Sequence, residues 1–155
     1  MIQRIQTLYL SLTTLLPLLF LKVTVINFTD KSSTVIKLTI SGIFRDKTGS
    51  GLELIEKTLP LSVFTIIILL LSAITLFIYK NRKIQMLFTK ALIFISGMFL
   101  VAIVYYSWSI AKEFDAALIF GFEMFLPAAI LILAVLAYRG IKKDDLLVKS
   151  YDRLR

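Results

Sequence analysis

Glu123 is the only charged side chain in the apolar run from Ala116 to Leu126, and Pro127 follows one turn later. A carboxylate inside a membrane-crossing helix needs a cation or water beside it, an arrangement found along ion and solute pathways. Lys22, near the end of the first apolar stretch, is the matching cation. A pair between Lys22 and Glu123 would orient the two stretches against each other. Each residue also has a structural reading. If the helix holding Glu123 begins near Phe122 rather than near Ala116, the carboxylate lies in its first turn, where it complements the helix dipole and where proline is at home. Lys22 can snorkel its ammonium group to the lipid headgroups.

Glu113 and Asp115 add two further carboxylates near Glu123, but no loop here has calcium-ligand spacing, and solvated charge accounts for them. The chain has no cysteine and no histidine. Thiolate chemistry, disulfides, imidazole acid-base catalysis and most zinc or haem ligation are thereby excluded. The many Ser and Thr lack a histidine base, and neither Gly-x-Ser-x-Gly nor a glycine-rich phosphate loop occurs. The chain therefore reads as non-catalytic, with no metal and no cofactor expected.

Four apolar stretches must position these residues: about 5–26, 61–79, 91–111 and 116–138, each near the ~20 residues that cross a bilayer. They consume most of the 155 residues, so the expected architecture is a single all-α membrane domain over 1–155. It is a four-transmembrane-helix bundle with a small β-containing extracytoplasmic cap. Pro17 and Pro127 are the expected helix kinks, with Ser11, Thr13 and Thr14 placed to satisfy backbone groups freed at Pro17. The N-terminal stretch lacks a cleavage pattern and reads as a retained span.

Charge sets the orientation. The segments before stretch one, between two and three, and after four carry eleven Lys or Arg against three Asp, which is the whole formal net charge of +8. The remainder of the chain balances seven bases with seven acids. Lys and Arg mark cytoplasmic segments, so both termini and the middle connection are expected in the cytoplasm. The sequence pI near 9.8 follows from these orientation signals and gives no reason to expect nucleic acid.

Residues 27–60 form the main outer connection. Alternation from Val35 to Phe44 predicts a half-buried strand. After the turn formers of 46–51, two readings compete: a short helix begun by a Ser50 and Glu53 capping box, or a second strand over 52–57. The stretch from 80 to 90 can continue as helix along the inner interface.

The cytoplasmic tail, 139–155, holds more pattern than orientation requires. With Asp144 or Asp145 as N-cap, a helix from Leu146 would bring Leu147, Tyr151 and Leu154 to one face, flanked by Lys149 and Arg153. With Lys142, Lys143 and Arg155, these residues make a candidate docking surface for anionic lipid headgroups or for another membrane protein.

The opening Met1-Ile-Gln-Arg-Ile-Gln-Thr-Leu-Tyr-Leu10, Leu126-Pro127, and the tail from Arg139-Gly-Ile-Lys-Lys-Asp-Asp-Leu-Leu to Arg155 resemble the domain of unknown function family 4293, small four-span proteins of Bacteroidota. The resemblance implies an inner-membrane protein and supplies no activity. The expected role is an accessory or scaffold subunit of an envelope membrane complex. The alternatives are a small transporter or channel using Glu123 and Lys22, and a lipid-handling protein with an apolar cavity open to the bilayer.

Overall fold

A computed structural model describes residues 5–21, 23–30, 34–47, 51–79 and 81–153. Four helices, α1 (Ile5–Phe20), α2 (Leu59–Phe77), α3 (Arg82–Glu113) and α4 (Leu126–Arg153), pack in a ring, each against two neighbours in the order α1, α2, α3, α4. Five strands join them: β1 (Ile26–Thr29), β2 (Val35–Leu38), β3 (Ile43–Lys47), β4 (Gly51–Glu56) and β5 (Ala117–Ile119). The protein is thus mostly helical with a small sheet, rather than purely α.

The helix seams are built from alternating spacings of three and four. Buried positions run Leu61, Thr65, Ile68, Ser72, Thr75 in α2, and Gln85, Thr89, Leu92, Ser96, Phe99, Ile103 in α3. In α4 they include Ile130, Ala134, Ala137 and Ile141. A repeat of 3.5 residues keeps a seam facing its neighbour when helices coil left-handed around one another. Many seam residues are small, which lets the backbones approach closely. Their hydroxyls are satisfied within their own helices: Thr65 donates to the Leu61 carbonyl at 2.8 Å, Ser72 to Leu69 at 3.0 Å, and Thr89 to Gln85 at 2.7 Å. Gln85 donates across to the Thr75 carbonyl at 3.2 Å.

Large apolar side chains also point outward. Val63, Ile66, Leu70, Ile74 and Phe77 are exposed on α2, and Leu87, Phe94, Met98, Val101 and Trp108 on α3. Apolar and hydroxyl-bearing groups share the inside, and the outside is bulky hydrocarbon where a helix packed in water would carry charge. Three helical segments, Leu59–Phe77, Arg82–Phe114 and Phe122–Leu147, are long and apolar enough to cross a membrane.

The sheet runs β4-β3-β2-β1-β5 with every pair antiparallel. Its strands come from both connections at one end of the bundle: β1 to β4 from between α1 and α2, and β5 from between α3 and α4. Phe28, Ile36 and Leu38 are fully buried on its inner side. The start of α2 is fastened to the turn between β2 and β3. Thr58 donates to the carbonyls of Thr39 and Ile40 at 3.1 and 2.9 Å, and Ser62 donates to Ile40 at 2.7 Å.

Several sequence expectations change. The first apolar stretch ends as helix at Phe20, and Ile26 opens β1. The strand expected over Val35 to Phe44 is two strands, because Thr39 and Gly42 close a turn at 2.9 Å between them. Residues after Gly51 form β4, which overturns the short-helix alternative; Ser50 lies outside the described residues. Gly51 has φ 86°, a left-handed conformation that glycine takes without a Cβ clash. Ala117 to Ile119 is strand, so the fourth stretch becomes helical only at Phe122. Residues 82–90 belong to the same helix as the third stretch.

The two prolines differ. Pro17 lies inside α1, but Ser11, Thr13 and Thr14 donate to the carbonyls of Leu8, Tyr9 and Leu10, one turn ahead of the group that proline frees. Pro127 is the second residue of α4, where its missing N–H costs no helical bond, so it starts the helix and does not kink it.

Candidate functional site

Where β1 and β5 meet the end of α3 and the start of α4, the side chains leave a cavity of about 420 Å³. Ile26 and Phe28 from β1 and Leu118 from β5 close one side, Leu100, Ile103, Val104 and Trp108 from α3 a second, and Met124 and Pro127 a third. Ser107 also lines it, but its hydroxyl is spent on the Ile103 carbonyl at 2.7 Å. The wall is therefore hydrocarbon in character. Val104 and Trp108 are exposed on the helix exterior, so the cavity opens sideways along α3. Beside it the Lys112 ammonium sits 5.2 Å from the centre of the Trp108 ring, a cation–π contact with a residue of the lining.

This end of the molecule is held by polar contacts that the sequence did not announce. Arg45 pairs with Asp30 at 3.1 Å, and its guanidinium lies 5.2 Å from the centre of the Phe114 ring. β3, the chain leaving β1, and the end of α3 are thereby joined at one residue. Lys37 and Asp46 bridge β2 and β3 at 3.0 Å.

Glu123 lies in a 3-10 turn, Phe122–Phe125, immediately before α4. The first-turn setting is the one adopted, and the start near Ala116 is not. Its carboxylate folds back over Gly121, where a Cβ would collide with it. Glu123 is partly exposed, and its neighbours Phe122 and Phe125 are exposed too. Lys22 lies outside the described residues, so the expected pair has one described member. Glu113 and Asp115 are exposed, and among the described residues no three acids converge as a metal site.

The tail residues take an arrangement different from the expected one. Asp144 and Asp145 are interior residues of α4, which runs without interruption from Leu126 to Arg153, so neither acts as an N-cap. Continuity wins because every residue from Arg139 onward can propagate the helix already formed, and no glycine or proline follows Gly140 to stop it. Lys142 and Asp145 line a groove against α3, while Lys143 and Leu147 are exposed. Tyr151 and Arg153 continue the α4 backbone; Leu154 and Arg155 lie outside the described residues.

The seam hydroxyls and Trp108 are the features that reading the sequence for chemistry passed over. Their signal was present: Thr65 and Ser72, like Thr89 and Ser96, stand seven residues apart in otherwise apolar helices.

A ring of long helices with an apolar outer surface, together with a small sheet, defines the class: a mostly helical protein with three membrane-capable helices. The chain belongs to the family described as Domain of unknown function (DUF4293), whose model matches residues 2–154. No curated protein and no solved structure matches it.

Proposed function

We propose that the chain is a non-catalytic, four-span protein of a bacterial inner membrane, serving as an accessory subunit that docks a partner along β4. The carrying observation is the state of that strand. β4 is a sheet edge, and every residue from Gly51 to Glu56 is exposed, with Leu52 at 58%. Leu54 and Ile55 are exposed beside it. Leu52, Leu54 and Ile55 make half of this edge apolar beside Glu53 and Glu56, and an open sheet edge is a template for another strand.

Support for α1 as the fourth span comes from its packing and its surface. It packs against α2 and α4, and Leu8, Leu12, Leu15, Leu18 and Leu19 face outward. Its 16 residues extend about 24 Å, short of the ~30 Å hydrocarbon layer, a mismatch that local thinning absorbs. With both termini in the cytoplasm, the sheet faces the opposite side.

The test replaces Leu52 and Leu54 by Lys and follows the native complex in mild detergent. Wild-type protein should run as a crosslinkable assembly and the variant as a folded, lone monomer. A wild-type protein recovered as a monomer after crosslinking would sink the proposal.

A second reading, lipid handling, has its own observation: the apolar cavity beneath β1 and β5, open along α3 with Lys112 beside it. An acyl chain suits its wall, and the ammonium suits a phosphate at its mouth.

A further inference from the structure

At the end of the bundle away from the sheet, α3 and α4 leave a groove of about 370 Å³ lined by Lys83, Lys90 and Lys142, with Asp145, over Met86, Leu87 and Leu146. Two contacts hold its walls. Arg82 donates to the Asp144 carbonyl at 2.6 Å, clamping the first turn of α3 to α4, and the Lys90 ammonium lies 5.8 Å from the centre of the Tyr138 ring. Three ammonium groups against one carboxylate leave the groove with a formal charge of +2 from its lining residues.

We propose that this groove binds the headgroup of a two-phosphate anionic phospholipid of the diphosphatidylglycerol type. This inference rests on the reading that α3 and α4 cross the membrane.

Depth supports the assignment. α3 has 32 residues, about 48 Å, so it outruns the ~20 residues that the hydrocarbon layer requires. Lys90 stands about 12 Å from the start of the helix, with Lys83 about 10 Å nearer that start, and the stretch beyond Lys90 is free of charge as far as Lys112. Lys90 therefore marks the hydrocarbon boundary, and Lys83 and Lys142 lie at headgroup level. The surface continues from basic to apolar in the direction a lipid would lie: Leu87 is exposed within the groove, and Phe94, one turn beyond Lys90, is 70% exposed. A soluble anion could satisfy the lysines but would leave this hydrocarbon wall uncovered. Basic pockets between membrane helices on the cytoplasmic side recognise such multiply charged headgroups.

The full chain is reconstituted in phosphatidylcholine nanodiscs, and lipid affinity is read by titrating diphosphatidylglycerol or phosphatidylglycerol. Wild type is compared with Lys83→Gln/Lys90→Gln/Lys142→Gln and with a charge-matched control, Lys47→Gln/Lys57→Gln/Arg139→Gln. The groove variant is expected to bind diphosphatidylglycerol about 100-fold more weakly, and the control to stay within about threefold of wild type. Phosphatidylglycerol should bind wild type more weakly, and inorganic phosphate should not displace the two-phosphate lipid. Wild-type affinity in the groove variant, an equal loss in the control, equal binding of the two lipids, or displacement by inorganic phosphate would each overturn the proposal. Alkaline carbonate extraction of the same membranes reports the spanning reading separately: release of the protein refutes that reading whatever the lipid result.

Discussion

The two ends of the α3 and α4 pair solve one problem differently. At the sheet end, β1 and β5 roof the gap between the helices, and the space beneath them, open along α3, is lined by Phe28, Ile103, Met124 and other apolar groups. At the far end no described residue roofs the gap; α4 continues past it, and lysines line the opening. The same pair of helices thus offers hydrocarbon at one end and ammonium groups at the other. What separates them is the chain between the helices. A connection that includes a strand can join a sheet and cover the gap, whereas helix extensions place charged side chains along the groove.

The roof can be broken directly. Phe28 is fully buried where β1 meets the cavity, and Phe28→Ala should cost about 3–5 kcal/mol, read as a lowered unfolding midpoint in detergent. The lysine groove should keep its lipid affinity as long as the bundle remains folded. A smaller change sharpens the comparison. Ser107→Phe sends a ring into existing space and gives up one local hydrogen bond, so its stability cost should be about 1 kcal/mol. Under the lipid-handling reading, mass spectrometry should find acyl lipid depleted from that variant and retained by the groove variant of the far end. The smallest effect belongs to the exposed face of the sheet. Lys37 and Asp46 are 31% and 42% exposed, so Asp46→Asn should change stability by less than about 1 kcal/mol by denaturant titration, with both cavities unaffected.

Legibility in the sequence follows the same division. α2 and the body of α3 are long apolar runs ended by Pro60, Lys112 and the bases near residue 80, and hydropathy locates them well. The sheet is harder because its outer members are apolar and adjoin helices. Ile26 to Thr29 looks like the end of a span, and Ala117 to Ile119 like the beginning of one, since a three-residue Ala-Leu-Ile segment has no period to read. Their pairing, Asn27 with Ile119 and Phe28 with Leu118, depends on residues far apart in the chain. Alternation from Val35 to Phe44 was real, but Ser41 and Gly42 divide it, and the turn was visible only as residue types. At the tail, Asp144 and Asp145 are good cap residues by type, yet an existing helix runs through them. Glu123 was legible in both of its settings; the strand at 117–119 decides between them by using up the residues that an earlier helix start would need.

The pairing of β1 with β5 also bears on how the chain is made. About 90 residues separate the two strands, so at a synthesis rate of about 5–20 residues per second β1 waits on the order of ten seconds for its second neighbour. During that interval the hairpins of β1 to β4 can form, while one edge of β1 stays open and Phe28 lacks part of its cover. Formation of α3 and β5 then acts as the closing event for a sheet begun two helices earlier. The nascent chain is most exposed to wrong strand pairing in the window before residue 119 leaves the ribosome.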